Sequence, residues 1–334
     1  MPSQPELTPA PCWVISDGRC GIENQALGLA EAMGRLTPLA LSRHVIGNGA
    51  LFSALPPSLQ YALGARLKSY GLRQNLPQIA IGCGRQAIAP LRALKKAGGT
   101  NIFTIYVQNP RVPTSCFDMV VAPAHDMLTG DTLTEDTVET MIGSPNRVTK
   151  EILNTSVQQF ADKFIAFPAP RVAVLVGGRS KNHRLSRDNH TVHMQAICGL
   201  AKQGMSVMIT TSRRTPSWAG AHYVQLGKDR RNVWVWDGYG GTTGDNPYFA
   251  FLGGADAILV TEDSTNMLTE SCATGKPVFT LPMSGEAGKF IKLYEDLQKR
   301  CHLRAFNGST EAPPYKPLDE TARIAKIVIA KMHK

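Results

Sequence analysis

Short apolar runs alternate with longer amphipathic stretches through most of this 334-residue chain, and that alternation limits the folds open to it. Apolar runs at 12–16, 78–81, 102–107, 119–122, 171–176, 206–210, 233–236, 258–261 and 277–281 read as strands. Between them, helical spacing is expected at 24–33, 85–97, 190–202 and 265–274, and a further helix starts at 247–252. Leu27, Ala30 and Met33, with Ala26 and Leu29 beside them, give the first helix a single apolar face. Strands separated by helices predict parallel sheets covered on both sides. The length exceeds what one core usually serves. The expected architecture is therefore α/β, with two Rossmann-like domains whose parallel sheets face a cleft.

The segment Ala166-Phe167-Pro168-Ala169-Pro170 is stiffened by two prolines and followed at once by a fresh strand, which marks it as the domain break. The expected division is a disordered leader at 1–10, a first domain at 11–166, a second at 171–306, and a tail with a helix at 307–334. In that last helix Ile324, Ile327 and Val328 share a face, with Arg323, Lys326, Lys331 and Lys334 around them. Docking onto a domain is the plain expectation, and a basic amphipathic helix lying on a membrane is the sharper one.

No apolar run approaches the ~18 residues of a membrane span, and the leader lacks the basic start and apolar core of a signal peptide. The seven cysteines form no CxxC pair, so free thiols in a reducing cytosol are expected. His183, His190 and His193 are the nearest approach to a zinc set, but no cysteine accompanies them and no metal is expected. A net charge of +10 suits phosphorylated ligands or an anionic membrane face. Nucleic acid is not an expected partner, because the basic residues are dispersed and no recognition motif accompanies them.

Ligands of open α/β sheets sit at the carboxyl ends of strands, which directs attention to the loops. After the run at 258–261 come Glu262, Asp263, Ser264, Thr265 and Asn266, opening a helix. A helix start offers unpaired N–H groups and partial positive charge, which suit a diphosphate. Ser264, Thr265 and Asn266 add donors, and Glu270, one turn on, is placed to accept from both hydroxyls of a ribose. The plainer alternative makes Asp263 or Ser264 a helix cap and Glu270 a solvated charge.

Gly177 and Gly178 after the run at 171–176 would let backbone approach a ligand, with Arg179, Ser180 and Lys181 beside them. The loop is not a Walker motif, since the G-K-[ST] ending is missing. Ser212 and Arg213, with Arg214 next to them, again suit an oxyanion. Trp236 and Asp237, followed by Gly238-Tyr239-Gly240-Gly241, are candidates to hold a base. In the first domain Asp17 and Glu23 are the candidate general bases, and His125-Asp126 is a weaker acid–base candidate. No nucleophile elbow, kinase signature or metal-binding D-x-D pair is present.

Taken in order, these loops resemble the mitochondrial fission ELM1-like family, from about Trp13 to Phe306. The resemblance rests on ENQALGLAEAMG (23–34), IGCGRQAIAPLRAL (81–94), QNPRVPTSCFDMVVAPAHD (108–126) and GSPNRV (143–148). It continues through VAVLVGGRSKNHRLS (172–186), TTSRRTP (210–216) and WDGYGGTTGDNPYFAFLGGADAILVTEDSTNMLTESCATGKPV (236–278).

The family resembles the GT-B glycosyltransferase architecture. That resemblance implies a nucleotide-diphosphate sugar held by the second domain through Ser264, Thr265, Asn266 and Glu270, and an acceptor held by the first. It implies a metal-independent transferase that needs no cofactor, acting on an envelope or lipid-linked glycan. Plant members act in mitochondrial fission by recruiting a dynamin-related protein, so a non-catalytic adaptor is the alternative. The leader has no presequence character, so a bacterial-type member is expected, cytoplasmic, with peripheral placement at the inner membrane as the alternative. A short-chain epimerase is not expected, because its G-x-x-G-x-x-G and Y-x-x-x-K pair are missing.

Overall fold

The computed structural model describes residues 8–46, 55–62, 76–126, 135–238 and 245–333. The chain forms two compact units, one of residues 1–147 with 319–334 and the other of residues 148–318.

In the first unit the strands are β1 (Ala10–Ser16), β2 (Leu39–Val45), β3 (Ile79–Cys83), β4 (Phe103–Val107), β5 (Met119–Pro123) and β6 (Val138–Met141). They lie in the order β2-β1-β3-β4-β5-β6, and every pairing is parallel. β3 and β5 are buried at every residue, as strands covered on both faces must be. The helices Cys20–Gly34 and Ile88–Gly98 supply cover. Gly28 lies where a Cβ would come within 2.4 Å of the Asn146 carbonyl, so the first helix packs there without a side chain between.

The second unit contains β7 (Arg171–Val176), β8 (His183–Arg184), β9 (Ser206–Thr211), β10 (Val233–Trp236), β11 (Ala257–Thr261), β12 (Val278–Leu281), β13 (Ser284–Gly285) and β14 (Arg304–Ala305). Six of these make a second sheet, β10-β9-β7-β11-β12-β14, again wholly parallel. β8 and β13 pair antiparallel as a separate small ribbon. Numbered within the sheet this is the Rossmann order 3-2-1-4-5-6, so the order in which strands are added reverses between β7 and β11. The expected α/β class with two Rossmann-like parallel sheets is therefore observed.

The sequence placed no strand at β2 or β6. β2 is an edge strand with a largely exposed, mixed pattern, and β6 is a short edge strand with two polar residues and only Met141 buried, so neither shows a continuous apolar run. The break between units also falls elsewhere than 166–171. The helices Lys150–Gln159 and Ala161–Ala166 belong to the second unit, because Phe160, Phe164 and Phe167 all pack around Trp234, with ring centroids 5.6–5.9 Å away. Pro168 and Pro170 thus stiffen a link inside that unit.

The final helix, Glu320–Met332, returns to the first unit. Its Ile324, Ala325 and Val328 are fully buried in one cluster with Leu29 and Met33 of the first helix. The membrane-lying expectation is corrected by this packing, since the apolar face a bilayer would need is consumed by the core. Arg323 pairs with Glu320 at 2.8 Å and Lys331 lies 3.7 Å from Glu139, so part of its basic face is also engaged within the unit. Among the described residues no helix is long and apolar enough to cross a membrane.

Candidate functional site

In the second unit the reversal between β7 and β11 creates a crevice at their carboxyl ends, the place where this topology binds ligands. Three loops meet there: 177–182 after β7, 212–216 after β9, and 262–264 after β11. Asp263 ties them together. Its Oδ2 accepts from the Gly178 N–H at 3.0 Å and from the Arg214 guanidinium at 2.8 Å. Its Oδ1 accepts from the Thr261 hydroxyl at 2.7 Å, and that hydroxyl in turn accepts from the Gly177 N–H at 2.7 Å.

Asp263 was expected to contact the ligand, or else to cap the helix. It is a fully buried carboxylate whose oxygens are taken up by the protein's own loops. The two glycines have the same explanation. A Cβ on Gly177 would lie 2.1 Å from Asp263 Oδ1, and one on Gly178 would lie 1.8 Å from the Arg214 carbonyl. The close approach they permit is to neighbouring protein backbone and to Asp263. Thr215 locks the same corner by donating to the Val176 and Gly177 carbonyls.

What remains open at the crevice is basic and polar. Arg179, Lys181 and Arg213 are exposed and carry no ion pair among the described residues. The helix Thr265–Ala273 begins after Ser264, whose side chain makes no cap bond, so the capping alternative fails for Ser264 too. Thr265 and Asn266 occupy its first turn. Ser180 is turned inward, accepting from the Asn182 and His183 N–H groups at 3.3 and 3.0 Å. Ser212 likewise accepts from the Arg214 N–H at 3.2 Å. Both shape loops.

Glu270 lies on the same helix and is buried at 8% exposure. Its Oε2 accepts a hydrogen bond from the Tyr248 hydroxyl, and among the described residues its Oε1 has no hydrogen-bond partner. Burial pushes this carboxyl up to about 7, with the Tyr248 bond working the other way. The solvated-charge alternative is therefore excluded for Glu270. Tyr248 opens the helix Tyr248–Gly254 and was not among the sequence candidates, since a tyrosine at a helix start reads as packing. Trp236 ends β10 with its indole N–H buried and, among the described residues, without a hydrogen-bond partner, and the Asp237 carbonyl accepts from the Thr211 hydroxyl at 3.3 Å. The rest of that expected loop, Tyr239-Gly240-Gly241, lies outside the described residues.

Behind the crevice a chain of hydrogen bonds fixes its own polarity. His193 Nε2 lies 2.8 Å from the Pro282 carbonyl, which can only accept, so Nε2 carries the proton. His193 Nδ1 then accepts from Tyr223 Oη (3.3 Å), Tyr223 accepts from His190 Nδ1 (3.2 Å), and His190 Nε2 accepts from His222 Nδ1 (3.1 Å). Two of the three histidines considered for zinc are thus held neutral in this chain. Among the described residues no group of three or more potential ligands is arranged for a metal.

Burial, with His222, His193 and Arg187 adding repulsion, lowers His190 to about 4, and His193 is lowered chiefly by burial. A depressed histidine makes the unfolded chain bind more protons than the folded one, so stability is lost as pH falls below about 6.5. The melting-temperature difference between the parent and His190→Phe should accordingly shift toward the variant between pH 7 and pH 5. About 1 kcal/mol is expected, allowing for solvent on the His222 side. An unchanged difference across that range would show that His190 does not titrate in this way.

In the first unit the candidate bases are both paired. Asp17 holds Arg19, with Arg19 Nε and Nη2 donating to Oδ2 at 2.9 and 2.6 Å. Glu23 takes both its bonds from Arg43, at 2.9 and 2.7 Å. His125 is buried in the turn after β5. β5 stands three strands from β1, a separation of ~14 Å, so strand order does not bring His125 beside Asp17.

A family model described as Mitochondrial fission ELM1 matches residues 20–332. A relative from Arabidopsis thaliana, Mitochondrial fission protein ELM1, is 28% identical, over 84% of this chain and 69% of that protein. An uncharacterized protein of Rickettsia prowazekii (strain Madrid E) is 25% identical, over 95% of this chain and 97% of that one. Among solved structures, UDP-GlcNAc 2-epimerase from Neisseria meningitidis bound to UDP-GlcNAc aligns with a TM-score of 0.55 at 13% identity, covering 97% of this chain and 99% of that one. Arabidopsis thaliana UGT89C1 complexed with quercetin aligns with a TM-score of 0.51 at 13% identity, covering 98% and 90%. At such identities the likeness is one of fold, and the fold is the GT-B type shared by glycosyltransferases and this kind of epimerase.

Proposed function

The chain belongs to the mitochondrial fission ELM1 family, and from that premise we propose that its second unit binds a nucleotide-diphosphate sugar for transfer of the sugar to an acceptor. One observation carries the reading. At the β7/β11 crevice a helix start without a side-chain cap is flanked by Arg179, Lys181 and Arg213, which carry no ion pair among the described residues, and on that same helix the buried carboxylate of Glu270 keeps one oxygen without a partner among them. Cations and N–H groups suit the diphosphate, and the open carboxylate oxygen suits a ribose hydroxyl. The UDP-GlcNAc bound by the Neisseria meningitidis neighbour is of this chemical class. Such a transferase would stabilise the departing diphosphate with these cations and require neither metal nor organic cofactor. Its acceptor would be an envelope or lipid-linked glycan.

A specific observation favours a second reading. Asp17 and Glu23 are both neutralised by arginines, which leaves neither poised to deprotonate an acceptor hydroxyl. A nucleotide-binding adaptor that recruits a protein partner, without transfer, accommodates this directly.

A thermal-shift panel of UDP-, GDP-, ADP- and CMP-sugars tests the first reading. A ligand at 100 times its Kd stabilises by about 2.7 kcal/mol, which should raise the melting temperature by several degrees. No response to any nucleotide would remove the transferase. A response with no sugar release or transfer would favour the adaptor.

A further inference from the structure

We infer that Tyr248 is a positioning residue for the nucleotide: its hydroxyl holds one oxygen of Glu270 so that the other is presented to a ribose hydroxyl, making the site selective for ribonucleotides. The inference rests on the nucleotide reading above and deepens it.

The geometry is asymmetric. Tyr248 donates to Oε2 alone, and Oε1 is left without a partner among the described residues. Glu270 sits on the helix Thr265–Ala273, which starts at the crevice, so the open oxygen belongs to the element proposed to receive the diphosphate. Oε1 is not among the fully enclosed unpartnered atoms of the described residues, so it is within reach of a ligand. Desolvation raises Tyr248 well above its ordinary value and holds Glu270 near 7, so the tyrosine stays a donor and cannot trade roles with the carboxylate. With Oε2 occupied, the carboxylate is held against rotation and Oε1 is the oxygen left to accept.

Tyr248 is itself held from two sides. Its backbone N–H donates to the Asn246 side chain at 3.0 Å, and its helix packs against the helix Lys150–Gln159. Gly253 of that helix meets the Leu153 carbonyl and Val157, an approach no larger residue would allow. Lys276 adds a further fastening by donating to the Leu252 and Gly253 carbonyls at the helix end. The tyrosine therefore points from a fixed support, as a positioning residue must.

The test is the affinity of the full chain for UDP and for 2′-deoxy-UDP, measured by calorimetry in the parent, Tyr248→Phe and Glu270→Gln. A hydrogen bond to a charged group predicts that the parent prefers UDP by about 10-fold or more. In Tyr248→Phe the preference should fall toward unity while 2′-deoxy-UDP binds about as before, because the diphosphate contacts are untouched. A general loosening of the fold would weaken both ligands together and leave their ratio intact. Glu270→Gln gives a second route to the same ratio, should loss of the hydroxyl prevent Tyr248→Phe from folding. A parent that binds UDP with no ribose preference, or a Tyr248→Phe variant that keeps the full preference, overturns the inference and leaves the nucleotide reading standing. A parent that binds neither UDP nor any other nucleotide of the panel overturns that reading, and the inference with it.

Discussion

Replacing Glu270 with glutamine is expected to make the protein more stable at pH 8 and, at the same time, to weaken its binding of ribonucleotides about 10-fold. The carboxyl titrates near 7 in the folded protein, against an ordinary value of 4.5. Folded protein therefore binds more protons than unfolded chain between those two values, and stability falls as pH rises through that window. By pH 8 the ionised group costs about 3 kcal/mol relative to an uncharged residue of the same shape. Glutamine keeps an acceptor for the Tyr248 hydroxyl and removes the buried charge. A rise of several degrees in melting temperature at pH 8, shrinking to nothing by pH 4, is the expected pattern. Stability gained where binding is weakened marks a residue kept for its ligand rather than for its fold. Equal melting temperatures at pH 8, or a less stable variant, would show that the buried carboxylate is not the burden the structure implies.

The second large effect concerns Asp263. Substitution with alanine strips the Gly178 N–H and the Thr261 hydroxyl of their acceptor and leaves Arg214 without its partner. Arg214 is 40% exposed and can turn to water, so the ion pair itself contributes little. The two buried donors are the main cost, at about 1–3 kcal/mol each. A loss of about 3 kcal/mol is expected in urea unfolding, together with the thermal response to nucleotides, because three loops of the crevice share this one carboxylate. Asp263→Asn, which keeps an acceptor for the Gly178 N–H, should lose less than half as much. An alanine variant within 0.5 kcal/mol of the parent would mean the loops are shaped by something else.

The parts of the fold that were legible in the sequence are those with strong local signatures. β7 and β11 are apolar through their interiors and buried throughout them, and the same holds for β3 and β5. β2, half exposed at a sheet edge, has no such signature, because its partner on one side is all that defines it as a strand. The Pro168–Pro170 segment drew the domain break to itself because prolines stiffen chain wherever they occur. The true break follows from where Phe160 and Phe164 find aromatic neighbours around Trp234, and those neighbours lie far away in sequence.

The candidate site shows the same division. That the loops after β7, β9 and β11 would be polar, glycine-bearing and basic was visible in their residues. The roles within them were not. Asp263 and the two glycines read as ligand contacts, and they are instead the clamp and clearance of a loop junction. Asp17 and Glu23 read as bases and are ion-paired.

By itself the sequence determined the class of fold, the location of the anion-seeking loops and membership of the family, because apolar periodicity, glycine and charge are properties of neighbouring residues. Only the tertiary structure decided which charges are spent on partners and which are left for a ligand. Arg214 and Arg213 are adjacent, yet one is neutralised by Asp263 and the other is not. Glu270 acquires its raised carboxyl from burial in the folded unit, and its hydrogen bond from Tyr248, 22 residues away, opposes that rise. Hydrogen-bond pairing and desolvation are set by where distant segments meet in space, and that information is absent from any short stretch of chain.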